Sequence, residues 1–436
     1  ATTLYTVRSV GSSRFRLDDW LVHGFLTLRT KLFSGAHCSP STLLSRPRPA
    51  MGDGRETSNT STCCPSPLEA LKRPLRCIVK LGGAAVTCKH EIEKINEENL
   101  GLVSLQLRQA MVTYGSTMEI LGMDWSRQVG GAEICSINDF GEHVGLNLES
   151  LIVVHGAGSF GHFQASKSGV HKGGLHVPIV KAGFVATRIS VTSLNLEIVR
   201  ALAREGIPAV GMPPFSCGWS TCNRNIASAD VYQVTEALNA GFVPVLHGDA
   251  VLDNLQGCTI LSGDVIIRHL AQLLRPEYVV FLTDVLGVYD RPPTDPNAVL
   301  LREIVVEEDG NWSVVKPAIQ QMKKEVEITV AAHDTTGGME TKISEAAMIA
   351  KLGIDVFITK AGTSHSLRAL KGEVIDKSID DWLGTAIRPA LRVPLAAGNL
   401  YMHCLNSILE RGRKKVAKLP PWALVKNRTF CKLVFH

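Results

Sequence analysis

The sequence predicts an α/β fold in which a mainly parallel sheet is covered on both faces by helices. Short, continuously apolar segments alternate with longer amphipathic segments from Arg76 onward, and this alternation is typical of parallel sheets. Glycine turns follow several apolar segments directly, at the position where the strands of such sheets end and ligands bind. With 436 residues, 45% of them apolar, the chain is long enough for one large core or two domains.

Six apolar segments are predicted to be buried strands: 77–81, 151–154, 208–210, 243–246, 278–282 and 356–359. The segments between them with helical patterns are 99–114, 185–205, 229–239, 265–274 and 342–351. Glycine turns fall at the predicted strand ends, at 82–83, 156–161, 248–249 and 287. The carboxyl edge of the sheet is therefore the predicted position of a ligand site.

The two ends of the chain differ from its body in charge. Residues 1–50 hold seven basic and two acidic side chains, and residues 389–436 hold nine basic and one acidic side chain, so the body is net acidic. An acidic body argues against nucleic acid as a partner. No apolar run approaches the roughly 20 residues of a membrane span, so no membrane partner is expected either.

We expect three parts: a disordered leader or transit peptide at 1–73, a catalytic domain at 74–388, and a basic, poorly ordered tail at 389–436. Residues 1–50 are rich in Arg and Ser, which is typical of an organelle transit peptide, although Met51 is an alternative initiator. The eleven cysteines contain no C-x-x-C pair and are typical of free thiols in a reducing compartment. We expect a cytoplasmic location, with an organelle as the alternative if the leader is a transit peptide.

An apolar segment runs into a glycine-rich turn in LIVVHGAGSFGH, residues 151–162. Its glycines allow backbone N–H groups to converge on a phosphate, and a helix beginning there would add its positive N-terminus. The same letters satisfy G-x-G-x-x-G, but a dinucleotide site also needs an acidic residue about 20 positions later. Residues 162–196 contain no acidic side chain and four basic ones. The turn therefore indicates a phosphate site.

Other motifs combine a charged residue with a glycine turn or a strand end, and each also has an ordinary structural interpretation. Lys80 precedes Gly82 and Gly83, which alone would be a common turn, and Lys89 in the following loop would alone be a solvated lysine. Asp264 in LSGD stands at a predicted helix start, where Asp is a frequent N-cap. The remaining motifs are TD at 283–284 and TGGMETK at 336–342. The chain lacks both a Walker loop and the motifs of protein kinases.

Taken in order, these motifs resemble the amino-acid-kinase superfamily: KLGG at 80–83, Lys89, HGAGSFGH at 155–162, SGD at 262–264, TD at 283–284 and GGMETK at 337–342. The resemblance covers roughly residues 75–388. His162 makes the resemblance specific to the isopentenyl phosphate kinases, and the glycine loops resemble those of a plant form. It implies a three-layer α/β/α sandwich with a mainly parallel central sheet, a homodimer, ATP and Mg²⁺ as cofactors, and an isoprenoid monophosphate as substrate.

The resemblance also implies a role for each motif residue. Residues that would bind ATP are Lys80, Leu81, Gly82, Gly83, Ala84, Gly158, Asp284, Gly338 and Lys342. Residues that would bind the acceptor phosphate are Ala157, Gly158, His162 and Gly263. The catalytic residues would be Lys80, Lys89, His162, Asp264 and Lys342. Lys89 would stabilise the transferring phosphoryl group, and Asp264 would orient Lys80 and Lys342. The family usually has Ser at the position of Ala84, so a hydroxyl contact is missing, and no residue is expected to bind a metal directly.

The chemistry of phosphoryl transfer agrees with these implied roles, because joining two phosphates requires positioning and neutralisation of negative charge. Magnesium bound by ATP would add to the charge of the lysines. Phe184, Val185 and Ile189 are candidates for an apolar slot that holds the isopentenyl group. Two alternatives stay open: a superfamily kinase for another small acceptor, such as an acylamino acid or a phosphonate, and a non-catalytic nucleotide-binding regulator. A cationic clamp would favour the former, while the joint presence of the lysines and Asp264 argues against the latter.

Overall fold

The computed structural model describes residues 66–112, 123, 150–317, 338–375 and 381–390, with the backbone alone at 338–341. The leader up to residue 65 and the tail from residue 391 lie outside the described residues, so the predictions for them and for cellular location stay predictions. Residues just before the first strand contact the helix at 232–239. There Lys72 N donates to Asn239 Oδ1 at 2.9 Å, and Asn239 Nδ2 donates to Ala70 O at 2.9 Å. The domain limits predicted at 74 and 388 also stay predictions.

A nine-stranded sheet forms the centre of the fold. Its strands are β1 (Cys77–Leu81), β2 (Leu151–His155), β3 (Ala209–Gly211), β6 (Val243–His247), β9 (Tyr278–Thr283), β12 (Glu303–Val306), β13 (Trp312–Lys316), β14 (Asp355–Lys360) and β15 (Thr385–Pro389). They are ordered β13-β12-β15-β14-β9-β1-β2-β6-β3. All six predicted strands are present, and they form the uninterrupted parallel block from β14 to β3. The predicted parallel sheet is thus confirmed, and β15 and β13 add antiparallel pairings at one side.

Smaller strands that the sequence did not predict extend the carboxyl side of this sheet. A four-stranded sheet, ordered β5-β4-β7-β8, contains β4 (Ser220–Cys222), β5 (Asn225–Ser228), β7 (Asp249–Asp253) and β8 (Gly257–Leu261). A short hairpin pairs β10 (Val288–Tyr289) with β11 (Leu300–Leu301). Only Gly248 separates β6 from β7, and Ser262 follows β8 directly. The small sheet therefore fixes the chain that leads into Gly263.

The described helices are α1 (Gly83–Val86), α2 (Glu97–Met111), α3 (Gly158–Ser168), α4 (Pro178–Arg204), α5 (Tyr232–Asn239), α6 (Gly263–Leu274), α7 (Gly338–Lys351) and α8 (Ser364–Leu370). The five predicted helices are confirmed as α2, α4, α5, α6 and α7. Helix α4 begins earlier than predicted because Pro178 fits the first turn of a helix. Within the described ranges, no helix is both long and apolar enough to cross a bilayer.

Two hydrophobic cores lie on opposite faces of the sheet, which gives the three layers. Ile78 packs with α5, α6 and α7, whereas Val79 packs with α2, α4 and α8. Successive side chains of a strand point to opposite faces, so Lys80 lies on the face of Ile78 and meets α6. Leu81 returns to the core of Val79. This alternation explains how a lysine inside a buried strand reaches the first turn of a helix.

Candidate active site

The predicted phosphate-binding turns meet at the carboxyl edge of the central strands. Strand β1 lies between β2 and β9 and is parallel to both, so the turns that follow these strands are neighbours. Gly82 N donates to Leu282 O at 2.8 Å, and Gly156 N donates to Leu81 O at 2.9 Å. The turns thus continue the hydrogen bonding of the sheet, which gives them a rigid base.

The glycine turn after β1 is packed against the glycine turn after β2. A Cβ atom on Gly83 would lie 2.2 Å from Gly158 N, and one on Gly156 would lie 2.9 Å from Gly83 N. Gly158 also has a φ of +53°, in the left-handed region, and a Cβ on it would lie 2.3 Å from Thr87 Oγ1. Only glycine permits this approach of two backbones. The predicted ATP turn and the predicted acceptor turn are therefore in direct contact.

The residues predicted to bind the acceptor phosphate lie at two helix N-termini. Ala157 and Gly158 begin α3, and His162, which is partly buried, follows one turn later. Gly263 begins α6, and a Cβ on it would lie 3.4 Å from His155 O and 3.5 Å from Lys80 Cε. Helix N-termini attract anions through their free N–H groups and their dipole. The chain therefore directs two helix N-termini and a lysine toward one region.

Lys80 and Asp264 form a buried ion pair between β1 and the first turn of α6. Lys80 is 6% exposed and Asp264 is 3% exposed. The N-cap Ser262 fixes the turn, because its Oγ accepts a hydrogen bond from Asp264 N at 3.2 Å. Burial alone would raise the pKa of Asp264, but the positive charges of Lys80 and Lys342 hold this pKa below its usual value. Asp264 is thus ionised, paired with Lys80 and close enough to Lys342 to interact with its charge, while its role in orienting the two lysines stays a prediction.

Lys89 and Asp284 are brought together although the sequence predicted different roles for them. Lys89 Nζ lies 2.5 Å from Asp284 Oδ2, with 55% and 33% of the two side chains exposed. An ion pair this accessible contributes little to stability. Phosphate oxygens can therefore replace the carboxylate as the partner of Lys89.

The other predicted ATP residues lie around this centre. Ala84 is in α1 and is partly buried, whereas the side chain of Leu81 is in the core, so only its backbone faces the turn. Lys342 lies in the second turn of α7 and is partly buried. Gly338 begins α7, and Gly337 lies outside the described residues. The ATP-binding roles of all these residues stay predictions.

Two of the three residues predicted for the apolar slot face solvent. Val185 is 53% exposed and Ile189 is 64% exposed on α4. Phe184 is partly buried and makes an edge-to-face contact with Phe215, with ring centroids 5.6 Å apart. Of the three candidates, Phe184 alone is packed against the rest of the protein, and its role in an acceptor slot stays a prediction.

A buried ion pair beside Phe215 was missed by the sequence interpretation. Arg188 Nε lies 3.1 Å from Asp249 Oδ1, and the guanidinium of Arg188 stacks on the ring of Phe215 at 4.3 Å. Asp249 also accepts a hydrogen bond from Phe215 N at 3.1 Å. The sequence signal was present, since the turn at 248–249 was noted, but its carboxylate was not connected to a cation on α4.

Two buried histidines that were likewise not singled out end β2 and β6. His155 and His247 are paired across the two strands, with ring centroids 5.2 Å apart. Burial and the neighbouring His247 lower the pKa of His155 to about 3, and burial lowers that of His247. Both rings are therefore neutral, and the Nδ1 atom of each contacts the carbonyl of the glycine that follows it, at 3.0 Å. The pair fixes the two turns without adding charge.

Among the described residues, no three His, Cys, Asp or Glu side chains lie close enough to hold a metal ion. The carboxylates of the site are engaged with lysines instead. Mg²⁺ commonly binds to substrate phosphates through few protein ligands. The described residues therefore fit a magnesium ion that would enter bound to the phosphates of ATP.

Comparisons with known proteins agree with this geometry. The sequence model described as the amino acid kinase family matches residues 131–360. An isopentenyl phosphate kinase of Arabidopsis thaliana is 67% identical over 323 residues, which are 73% of this chain and 97% of that protein. An isopentenyl phosphate kinase of Methanothermobacter thermautotrophicus is 36% identical over 52% of this chain and 82% of its own length. A crystal structure of an isopentenyl phosphate kinase, 29% identical, matches with a TM-score of 0.52 over 72% of this chain and 99% of that chain.

Proposed function

The chain belongs to the amino acid kinase family and, within it, to the isopentenyl phosphate kinases; on this premise we propose that it transfers the γ-phosphoryl group of ATP to isopentenyl phosphate. The observation that carries the proposal is the direct contact between the Gly83 turn and the Gly158 turn. This contact brings the predicted ATP turn beside the predicted acceptor turn. Phosphoryl transfer depends on such proximity because positioning supplies much of the rate enhancement.

In the proposed reaction, a phosphate oxygen of isopentenyl phosphate forms a bond to the γ-phosphorus of ATP. The bond from that phosphorus to the β,γ-bridging oxygen breaks, and its electron pair leaves with ADP. The products are isopentenyl diphosphate and ADP. The attacking oxygen of a monophosphate dianion carries no proton, so no general base is needed. The main requirement is neutralisation of negative charge, which fits a site that contains three lysines.

We assign this neutralisation to three lysines. Lys80 is held by the buried carboxylate of Asp264, which also lies near Lys342. Lys89 lies on the exposed side, paired with Asp284, and would exchange this partner for phosphate when ATP binds. The N-termini of α3 and α6 and the side chain of His162 would bind the acceptor phosphate. Magnesium would enter bound to the phosphate oxygens of ATP and would add positive charge there.

For the acceptor, the contacts on α4 support an apolar group over an amino acid. Arg188, which contacts the same Phe215 ring as Phe184, is neutralised by the buried Asp249 and stacked on that ring. It is thus already paired and is not offered as a clamp for a carboxylate. Phe184, against the same ring, would contact the isopentenyl group.

The test is a steady-state assay of the full chain with Mg-ATP and three acceptors: isopentenyl phosphate, dimethylallyl phosphate and acetylglutamate. We expect ADP and an isoprenoid diphosphate from the isoprenoid monophosphates and no product from acetylglutamate. The variant Lys80→Met, with the same acceptors, is the control for background ATP hydrolysis. Turnover of acetylglutamate alone would overturn the proposal in favour of an acylamino acid kinase, and ATP binding without any turnover would favour a regulator.

We also propose that the chain forms a homodimer through α4. Three exposed apolar side chains, Val185, Ile189 and Leu196, lie on one face of this helix because they are spaced by four and seven residues. Each of the three is at least 49% exposed. An exposed apolar face of a helix can mark an interaction site. A second copy of the same helix would cover this face symmetrically, as in twofold interfaces generally.

A further inference from the structure

An ion pair outside the predicted catalytic residues joins the helices that carry Asp264 and Lys342. Arg268 of α6 donates from Nε to Oε2 of Glu345 on α7. Glu345 is 8% exposed, so its carboxylate has little access to water. A buried carboxylate is costly unless it is paired, and Arg268 supplies that pairing.

The spacing along the helices places this pair next to the catalytic charges. Arg268 follows Asp264 by four residues on α6, and Glu345 follows Lys342 by three residues on α7. Residues three or four apart lie on the same face of a helix. Each helix thus presents one acidic and one basic side chain to the other, in opposite order. Asp264 interacts with Lys342, and Arg268 interacts with Glu345.

Glu345 is close enough to the catalytic centre to feel its charges. Burial raises the pKa of Glu345, Arg268 opposes that rise, Asp264 adds to it, and Lys80 opposes it. Without Arg268, the carboxylate would have two ways to avoid being an unpaired buried charge. It could take up a proton, or it could attract Lys80 or Lys342. The second outcome would remove a lysine from the phosphates of ATP.

We propose that Arg268 is a positioning residue that holds Glu345 away from Lys80 and Lys342 and so keeps both lysines available to ATP. The inference rests on the proposed function, because the lysines are assigned to ATP there. Arg268 and Glu345 themselves touch neither substrate. Their effect passes through the lysines, and through the registration of α6 against α7 that the ion pair fixes.

The test compares Arg268→Met, Glu345→Gln and the double variant of the full chain by calorimetric ATP binding and by steady-state kinetics. We expect Arg268→Met to weaken ATP binding by about tenfold or more, because it leaves a buried carboxylate unpaired beside the lysines. Glu345→Gln should change ATP affinity by less than about threefold. The double variant should recover most of the loss, since it contains no unpaired carboxylate.

The pH dependence separates this role from a purely structural one. In Arg268→Met, lowering the pH through the raised pKa of Glu345 protonates the carboxylate and releases the lysines, so ATP affinity should improve toward low pH. The double variant should lack this dependence. The charged groups that face Glu345 are Arg268 and Asp264 from α6 and Lys80 from β1, with Lys342 on its own helix. The proposal would be overturned if the double variant bound ATP as weakly as Arg268→Met does. It would also be overturned if ATP affinity of Arg268→Met depended on pH in the same way as that of the wild type.

Three controls keep the result interpretable. Arg268→Lys preserves the charge and should bind ATP nearly as well as the wild type, which covers the case that the Met variant does not fold. Arg200→Met removes the partner of Glu197 on α4, remote from the lysines, and should leave ATP affinity unchanged. Calorimetry measures ATP binding without an acceptor. The inference can therefore fail or hold independently of whether isopentenyl phosphate is turned over.

Discussion

Among single side chains, His162 is the one that we propose to bind the acceptor and not the nucleotide. It lies one turn into α3, whereas Lys80 and Lys342 lie with Asp264 on the α6 side of the site. Replacing His162 with Gln removes the imidazole ring and leaves a more flexible amide, whose N–H is not held at the same place. We expect KM for isopentenyl phosphate to rise about tenfold or more, because a hydrogen bond to a charged group contributes about 1.5 to 3 kcal/mol when its geometry is kept.

The measurement is steady-state kinetics with each substrate varied in turn. KM for ATP is the internal control and should change by less than about twofold, since His162 is not assigned to the nucleotide. An unchanged KM for isopentenyl phosphate would remove His162 from the acceptor site.

The proximity of Lys80 to Asp264 was implied by the sequence, but the pairing of Arg268 with Glu345 was not. Lys80 and Asp264 stand in short motifs at a strand end and at a helix start, so a resemblance carries both. Arg268 and Glu345 lie within helices, where charged residues are common and where their partners depend on how two helices pack. The same limit applies to Val185 and Ile189. The sequence shows that they are apolar residues of a helix, but it does not indicate that they lie on the exposed face of α4.

At the scale of loops and other elements, the contact between the Gly83 turn and the Gly158 turn is sensitive to substitution of either glycine. A Cβ on Gly83 would meet the backbone N of Gly158 at 2.2 Å, and a backbone atom cannot move aside as a flexible side chain can. We expect Gly83→Ala to reduce kcat/KM by about a hundredfold, because small displacements of reacting groups are costly. It should also destabilise the fold by about 1 to 3 kcal/mol through overpacking.

Gly101→Ala is the matched control for this substitution. Gly101 lies in α2, and a Cβ there would have no heavy atom within 4 Å. In an exposed helix the change should raise stability by about 0.5 to 1 kcal/mol and leave activity unchanged. Activity and thermal melts of both variants provide the comparison, and equal activity of the two variants would contradict the role of the contact between the turns.

The strands predicted from the sequence are those whose burial is continuous. Every residue of β1, β2 and β9 is buried, so each of these strands is a largely apolar segment in the sequence. In β12, by contrast, the buried Ile304 and Val306 alternate with the partly exposed Glu303 and Val305, and so short an alternation is difficult to distinguish from a loop in the sequence. The small sheet that leads into Gly263 was also missed, because its strands are short or are bounded by polar residues, as β7 is by Asp249 and Asp253.

For the assembly as a whole, the described chain leaves one face of α4 exposed while both faces of the central sheet are covered. Val185 and Ile189 lie on that face, and the proposed contact with a second copy would explain their apolar character. If they lined an acceptor slot instead, a charge at either position would affect acceptor binding in a single chain. The two interpretations therefore differ in a measurable way.

Replacing Ile189 with Glu tests the proposed dimer. Two copies of the charge would face each other across a twofold interface, where unpaired charges are costly, so we expect the mass measured by light scattering to fall from two chains to one. Leu105→Glu, at a similarly apolar exposed position on α2, should leave the mass unchanged. If Ile189→Glu raised KM for isopentenyl phosphate without changing the mass, α4 would line the acceptor slot and the dimer would have to form through another surface.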